Sequence, residues 1–187
     1  MIDRSDYRDE EELIAACSRR DRLAQQVLYE RFSSVMYPVC LRYLGKEDAE
    51  DVLQDGFLTV FDKIGTYKGE GSFAGWMRKI FVNACLMRIR KGDVLRHTED
   101  ISVLQDPGPV LLEHGAVEQM GSKEILGLIE ELPTALRTPF NLFVIEGYSH
   151  AEIGRMLGIT EQSSRSQVSR ARALLQEKIK KLYNDRQ

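Results

Sequence analysis

Ser149-His150-Ala151-Glu152-Ile153-Gly154-Arg155-Met156-Leu157-Gly158-Ile159-Thr160-Glu161 decides how the C-terminal part of this chain folds. Ser149 is a helix N-cap, and Glu152 three residues on completes a capping box, so a short helix starts there. Small Ala151 permits close helix contact, and Gly158 supplies a left-handed turn. The spacing predicts a helix-turn-helix. The next residues, Gln162-Ser163-Ser164-Arg165-Ser166-Gln167-Val168-Ser169-Arg170-Ala171-Arg172, fill a second helix with hydroxyls, amides and guanidiniums. These are the groups that bond phosphates and the edges of guanine or adenine, and in such a motif the second helix enters the major groove. Arg165 and Ser169 are four apart, as are Ser166 and Arg170, so they are expected to line one exposed face. The plain alternative is a polar surface on an ordinary helical hairpin, but the cap and turn chemistry favour DNA.

Upstream of this motif the hydrophobic period is also helical, and no stretch alternates with period two for long enough to form a half-buried strand. The fold class is all-α. Leu13, Ile14 and Cys17 form a short stripe; Leu28, Phe32, Val35 and Val39 form a second, with Pro38 expected to kink it and Gly45 to stop it. A third helix runs from about Glu47 to Lys63, burying Leu53, Phe57, Val60 and Ile64. After a polar loop from Thr66 to Gly71, Ser72 caps a fourth helix that ends near Lys91-Gly92. From Asp93 to about Val117 the period lapses around Pro107-Gly108-Pro109, as in a linker. Helical patterning resumes at Ile125, Leu128 and Ile129, breaks at Leu132-Pro133, and continues through Phe140, Phe143 and Val144 to Gly147. Two helical domains, 1–92 and 119–187, joined by a flexible acidic linker over 93–118, are expected.

The net charge of −3 conceals a segmented distribution. Residues 1–75 carry −5, 76–92 carry +5, 93–118 carry −5, 119–160 carry −2 and 161–187 carry +4. Two basic blocks held apart by an acidic spacer suggest two polyanion contacts, although solvated helix faces would give the same count. No apolar run approaches the ~18 residues of a membrane span, and the acidic start lacks the core of a signal peptide, so a soluble cytoplasmic protein without membrane insertion is expected. Cys17, Cys40 and Cys85 are too few and too scattered for a disulfide framework, and no His or Cys spacing suggests a metal. Neither cofactor nor metal is expected.

Two further constellations lie in the first domain. Trp76, Lys79, Asn83 and Arg90 share a broad face of the fourth helix, where an aromatic, an amide and cations could stack on bases and neutralise phosphates. The loop Tyr67-Lys68-Gly69-Glu70-Gly71-Ser72-Phe73 adds an aromatic at each end and suits gripping an unpaired base, although Phe73 or Trp76 taken singly is more often core. On the third helix Asp48, Asp51, Gln54, Asp55 and Leu58 face outward, an acidic surface with one apolar residue. Paired carboxylates can serve acid-base chemistry, but no histidine, phosphate loop or nucleophile motif supports them, so no enzyme activity is expected.

With these residues in view, the chain resembles the extracytoplasmic-function (ECF) RNA polymerase sigma factors, bacterial transcription initiation factors of the sigma-70 superfamily. Asp48-Ala49-Glu50-Asp51-Val52-Leu53-Gln54-Asp55-Gly56-Phe57 is similar to the family's second region, Gly71 to Ile80 with Asn83 to its promoter-melting region, and Tyr148 to Arg172 to its fourth region. The resemblance implies that Asp48, Asp51, Gln54, Asp55 and Leu58 bind the clamp helices of core RNA polymerase. It implies that Phe73, Trp76, Lys79 and Asn83 melt and read the minus-ten element of promoter DNA. Ser163, Arg165, Ser166, Ser169 and Arg170 would read the minus-thirty-five element. Ser164, Gln167 and Leu86 depart from the family pattern, which often has valine, arginine and a polar residue there. A free monomer and an anti-sigma factor as partner are compatible with the resemblance. An ordinary helix-turn-helix regulator is the competing function, and a small helical enzyme using the carboxylates is a second.

Overall fold

The computed structural model describes residues 7–91 and 122–184, and among them there are helices and turns but no strand. Residues 93–118, expected as a linker, lie outside the described residues. The chain divides into two compact units, one through Arg88 and one from Ile89 onward.

The first unit contains α1 (Glu10–Ser18), α2 (Arg22–Leu44), α3 (Lys46–Lys63), a 3-10 turn (Ile64–Thr66) and most of α4 (Phe73–Lys91). Aspartates cap the first two helices: Asp9 accepts from the Glu11 and Glu12 amides, Asp21 from those of Leu23 and Ala24. Helix α2 runs through Pro38 to Gly45, whose φ of 78° ends it. Its buried stripe is Leu28, Phe32, Met36, Val39, Cys40 and Tyr43. Val35 was expected on that stripe and is instead 51% exposed, because Met36, four residues after Phe32, takes the inward position. Helices α3 and α4 meet at Gly56: a Cβ there would sit 2.3 Å from the Phe81 ring, which also packs edge-on to Phe57. All three cysteines are free and buried. Burial pushes the Cys17 thiol up to about 12, and a hydrogen bond with Cys40 together with burial pushes Cys85 up.

The second unit contains α5 (Ser122–Glu130), α6 (Thr134–Phe140) continued by a π turn (Asn141–Ile145), α7 (His150–Leu157) and α8 (Glu161–Asn184). Leu128, Ile129, Leu132, Leu136 and Phe140 pack against Val168, Ala171, Leu175 and Ile179 of α8. Polar groups enter this interior: Arg137 is 8% exposed and donates to the Glu130 carbonyl, and burial lowers its pKa. Val144, expected to follow Phe143 inward, is 47% exposed, since the wider π turn rotates it out of the stripe.

Candidate functional site

Helix α3 is two-sided. Val52, Leu53, Gly56, Phe57 and Val60 are buried, which leaves Asp51, Gln54, Asp55 and Leu58 on the exposed face, Leu58 at 63%. Asp48 differs from the others: it is half-buried, and Arg88 of α4 donates to it through Nε at 2.9 Å. That bond, followed by the carboxylates of Asp48, Asp51 and Asp55, raises the Arg88 pKa. Arg88 therefore belongs to the acidic face, and the basic block at 76–92 is not one continuous cationic surface.

The loop before α4 is closed on itself. Gly69 and Gly71 adopt φ of 76° and 78°, and the Tyr67 hydroxyl donates to the Gly71 carbonyl at 2.7 Å. Ser72 Oγ accepts from the Gly75 amide at 3.1 Å and starts α4. Phe73, which the resemblance gives to the minus-ten element although such an aromatic taken singly is more often core, is fully buried: its ring lies edge-on to Phe32 and Tyr67 and stacked on Trp76, 5.5 Å between centroids. It is a foundation under an aromatic group whose half-buried members are Tyr67 and Trp76, 5.6 Å apart. Lys79, Asn83 and Arg90 are exposed on the same helix. Tyr67, the aromatic at the first end of the loop expected to grip a base, belongs to the aromatic group, half-buried.

In the helix-turn-helix, the Ser149 hydroxyl accepts from the Glu152 amide, and the Glu152 carboxylate accepts from the Ser149 amide at 2.8 Å and from its hydroxyl at 2.7 Å. These bonds hold the Glu152 carboxyl below the usual range. Gly158 has φ 72°, as the turn requires. The close-contact residue, however, is Gly154 and not Ala151. Ala151 is exposed, whereas a Cβ on Gly154 would sit 2.8 Å from the Ile159 carbonyl, so only glycine lets the turn fold back on α7.

Thr160 caps α8, accepting from the Ser163 amide at 3.0 Å and sharing a 2.8 Å hydroxyl bond with Ser163. Arg165 is exposed and paired with Glu161. The single exposed face expected for Arg165, Ser166, Ser169 and Arg170 is not what forms: Ser163, Ser166, Ser169 and Arg170 are half-buried. The exposed residues along that side are Gln162, Arg165 and Arg172, at steps of three and seven. Arg172 was missed, although it lies seven residues beyond Arg165. It sits over the Phe143 ring, 5.6 Å from the centroid. Phe143 in turn stacks on His150 at 4.1 Å, and His150 Nδ1 lies 3.0 Å from the hydroxyl of Ser164. Ser164 is fully buried, so this departure from the family pattern faces α7, not solvent. Leu86 is buried as well.

The acidic helix, the closed aromatic loop and the capped helix-turn-helix fall within the stretches of this chain that match two known domains. Residues 28–94 match the family model for sigma-70 region 2, and residues 122–175 match that for sigma-70 region 4. Regions 2 and 4 in that order define a promoter-directed initiation factor. Over 169 residues the chain is 31% identical to the ECF RNA polymerase sigma factor SigM of Mycobacterium tuberculosis (strain H37Rv), covering 90% of this chain and 83% of that protein. It is 27% identical over 179 residues to the ECF RNA polymerase sigma-E factor of Haemophilus influenzae, covering 91% and 95%. Among solved structures it is similar to the sigma factor RpoE from Bartonella quintana, co-crystallised with the anti-sigma factor NepR, at 21% identity and a TM-score of 0.49 over 83% of this chain and 96% of that one. The chain belongs to the ECF RNA polymerase sigma factor family and is a promoter-specific transcription initiation factor. Nothing in these comparisons supports an ordinary helix-turn-helix regulator. No described helix is long and apolar enough to cross a membrane.

Proposed function

We propose that the chain divides its work among three surfaces: residues 1–92 bind core polymerase and open the minus-ten element, 93–118 tether, and 119–187 read the minus-thirty-five element. The protein acts in the cytoplasm as a monomer when free, without cofactor or catalysis, and an anti-sigma factor covering either unit would silence it. One observation carries the polymerase contact: Leu58, 63% exposed, sits among Asp51, Gln54 and Asp55 on a helix whose other face is fully packed. An apolar residue ringed by carboxylates suits a partner surface that is basic around an apolar centre. Asp48 supports it from the side by holding Arg88.

Tyr67 and Trp76 offer ring surface to a flipped base, with Phe73 beneath them, while Lys79, Asn83 and Arg90 meet the strand. Upstream, Arg165 reads base edges, Ser163, Ser166 and Ser169 bond the backbone, and Arg170 supports the helix from its flank.

Charge reversal at Asp51 and Asp55 exposes no core, so Asp51→Lys/Asp55→Lys should fold normally and fail to assemble with core polymerase by size exclusion. Normal assembly would overturn the assignment. Asn83→Ala and Lys79→Ala should assemble normally but open promoters poorly, each lost hydrogen bond costing about 0.5–3 kcal/mol according to whether a charge is involved. Normal permanganate reactivity of the minus-ten strand in both would refute it.

A further inference from the structure

The net −5 of residues 1–75 hides a compact group of cations that none of the three surfaces uses. Arg19, Arg20 and Arg22 are all exposed on the turn between α1 and α2. That turn is not remote from the loop: α1 packs against the 3-10 turn Ile64–Thr66, and a Cβ on Gly65 would sit 3.3 Å from Ser18 Oγ. The 3-10 turn leads directly into Tyr67, and exposed Lys63 and Lys68 bracket it. Arg19, Arg20 and Arg22 thus lie where α1 gives way to α2, beside the 3-10 turn that Lys63 and Lys68 bracket, and α4 follows the loop.

Folding alone does not ask for two of these arginines. Arg20 has φ 63°, and it is the one non-glycine residue at positive φ among the described residues. An L side chain is disfavoured there, and asparagine or glycine would be the ordinary choice. Arg22 opens α2, where the positive end of the helix dipole opposes a cation, and the first turn of α2 contains no acid. The adjacent carboxylate, Asp21, accepts from the amides of Leu23 and Ala24 and from the Tyr7 hydroxyl at 3.0 Å; these bonds, with a smaller contribution from the charge of Arg19, lower its pKa, and neither Arg20 nor Arg22 forms an ion pair with it. Asp62 and Glu70 are exposed beside Lys63 and the loop, while exposed Asp9, Glu10, Glu11 and Glu12 stand at the far end of α1.

We infer that this turn is a further nucleic-acid contact, a cationic rest for the phosphates of the unpaired strand where it leaves the loop, given the assignment of loop and α4 to the minus-ten element. The partner is single-stranded and read without sequence preference, because long flexible cations on an open turn match a phosphate chain and offer no pocket for a base.

The test uses holoenzyme assembled from the full chain and promoter fragments whose unpaired strand either stops at the minus-ten element or continues downstream. The variant is Arg19→Gln/Arg20→Asn/Arg22→Gln; asparagine tolerates the backbone of position 20, and Arg22→Gln relieves the clash with the helix dipole, so the variant should melt like the parent. The parent should gain affinity from the extension. The variant should lose that gain, about tenfold or more at low salt, and its log-affinity against log-salt slope on the extended fragment should shrink by about 2, roughly 0.7 for each phosphate released. Equal affinity of parent and variant on the short fragment is part of the expectation. A variant that keeps both the gain and the slope overturns the inference, and so does one that weakens both fragments equally. Failure of the underlying assignment reads out separately: Asn83→Ala would then bind the short fragment as tightly as the parent does.

Discussion

The two units of this protein solve the same problem with different interiors. In the first, aromatic and aliphatic side chains fill the space between helices, and among the described residues Arg42 is its one buried charged or polar side chain. In the second, Arg137, Thr138, Asn141, Ser164 and Gln176 are buried among shorter helices. Apolar packing holds helices together with little regard to angle, whereas a buried polar group tolerates only arrangements in which it is bonded. The first unit is thus built on close packing. In the second, hydrogen bonds reach inward: Arg137 donates to the Glu130 carbonyl, and Ser164 of α8 is bonded to His150 at the start of α7.

The largest effect should come from overpacking the first interior. Gly56→Ala drives a methyl into the Phe81 ring and should destabilise the first unit by about 3 kcal/mol, leaving the second unit's denaturant midpoint unchanged. A shared loss would show that the units do not unfold independently. Gly154→Ala is the matching change in the second unit, against the Ile159 carbonyl, and should cost about 2 kcal/mol there by the same measurement.

Ser164→Val sharpens the contrast further, since it installs an apolar residue where a polar bond now fixes α8 on α7. Its stability should change by no more than about 1 kcal/mol, while minus-thirty-five discrimination falls in filter-binding competition by holoenzyme; unchanged discrimination would remove the orienting role. Burial, then the charges of Arg165 and Arg172, lower the His150 pKa, with Glu161 opposing them. A histidine depressed in the folded state stabilises above its unfolded pKa and loses that contribution as pH falls through the folded value. The second unit's midpoint should therefore decline below about pH 6.5 more than the first unit's does, and His150→Gln should flatten that decline. The smallest stability change belongs to Glu161→Gln: an exposed pair with Arg165 is worth under about 1 kcal/mol, so melting should not move, while the freed guanidinium should alter base preference at one upstream position.

The helices and the capping box could be read directly from sequence because their determinants are local: Ser149 with Glu152, Gly158, the stripe through Leu28 and Phe32. The acidic face of α3 was equally readable, since a helix with one strongly apolar side must turn the other outward. What sequence did not give depends on contacts between elements. Phe73 could be read as core taken singly, but nothing local says that Phe32 and Trp76 are what encloses it. Ala151 looked like the contact residue because smallness was visible, but the carbonyl that selects Gly154 belongs to a turn five residues later. The basic block at 76–92 looked continuous because Asp48, forty residues away, neutralises Arg88 only after folding. The π turn that exposes Val144 has no periodic signature.

The closed loop has a kinetic consequence. With the Tyr67 hydroxyl already bonded to Gly71 and two glycines at positive φ, the segment has little ordering left to do in its proposed role of receiving the melted strand. The temperature dependence of promoter opening should then reflect the unstacking of the DNA itself. A promoter with an easily unstacked minus-ten step and one with a stiff step should differ in activation enthalpy by the cost of their stacking, with no common offset from the protein.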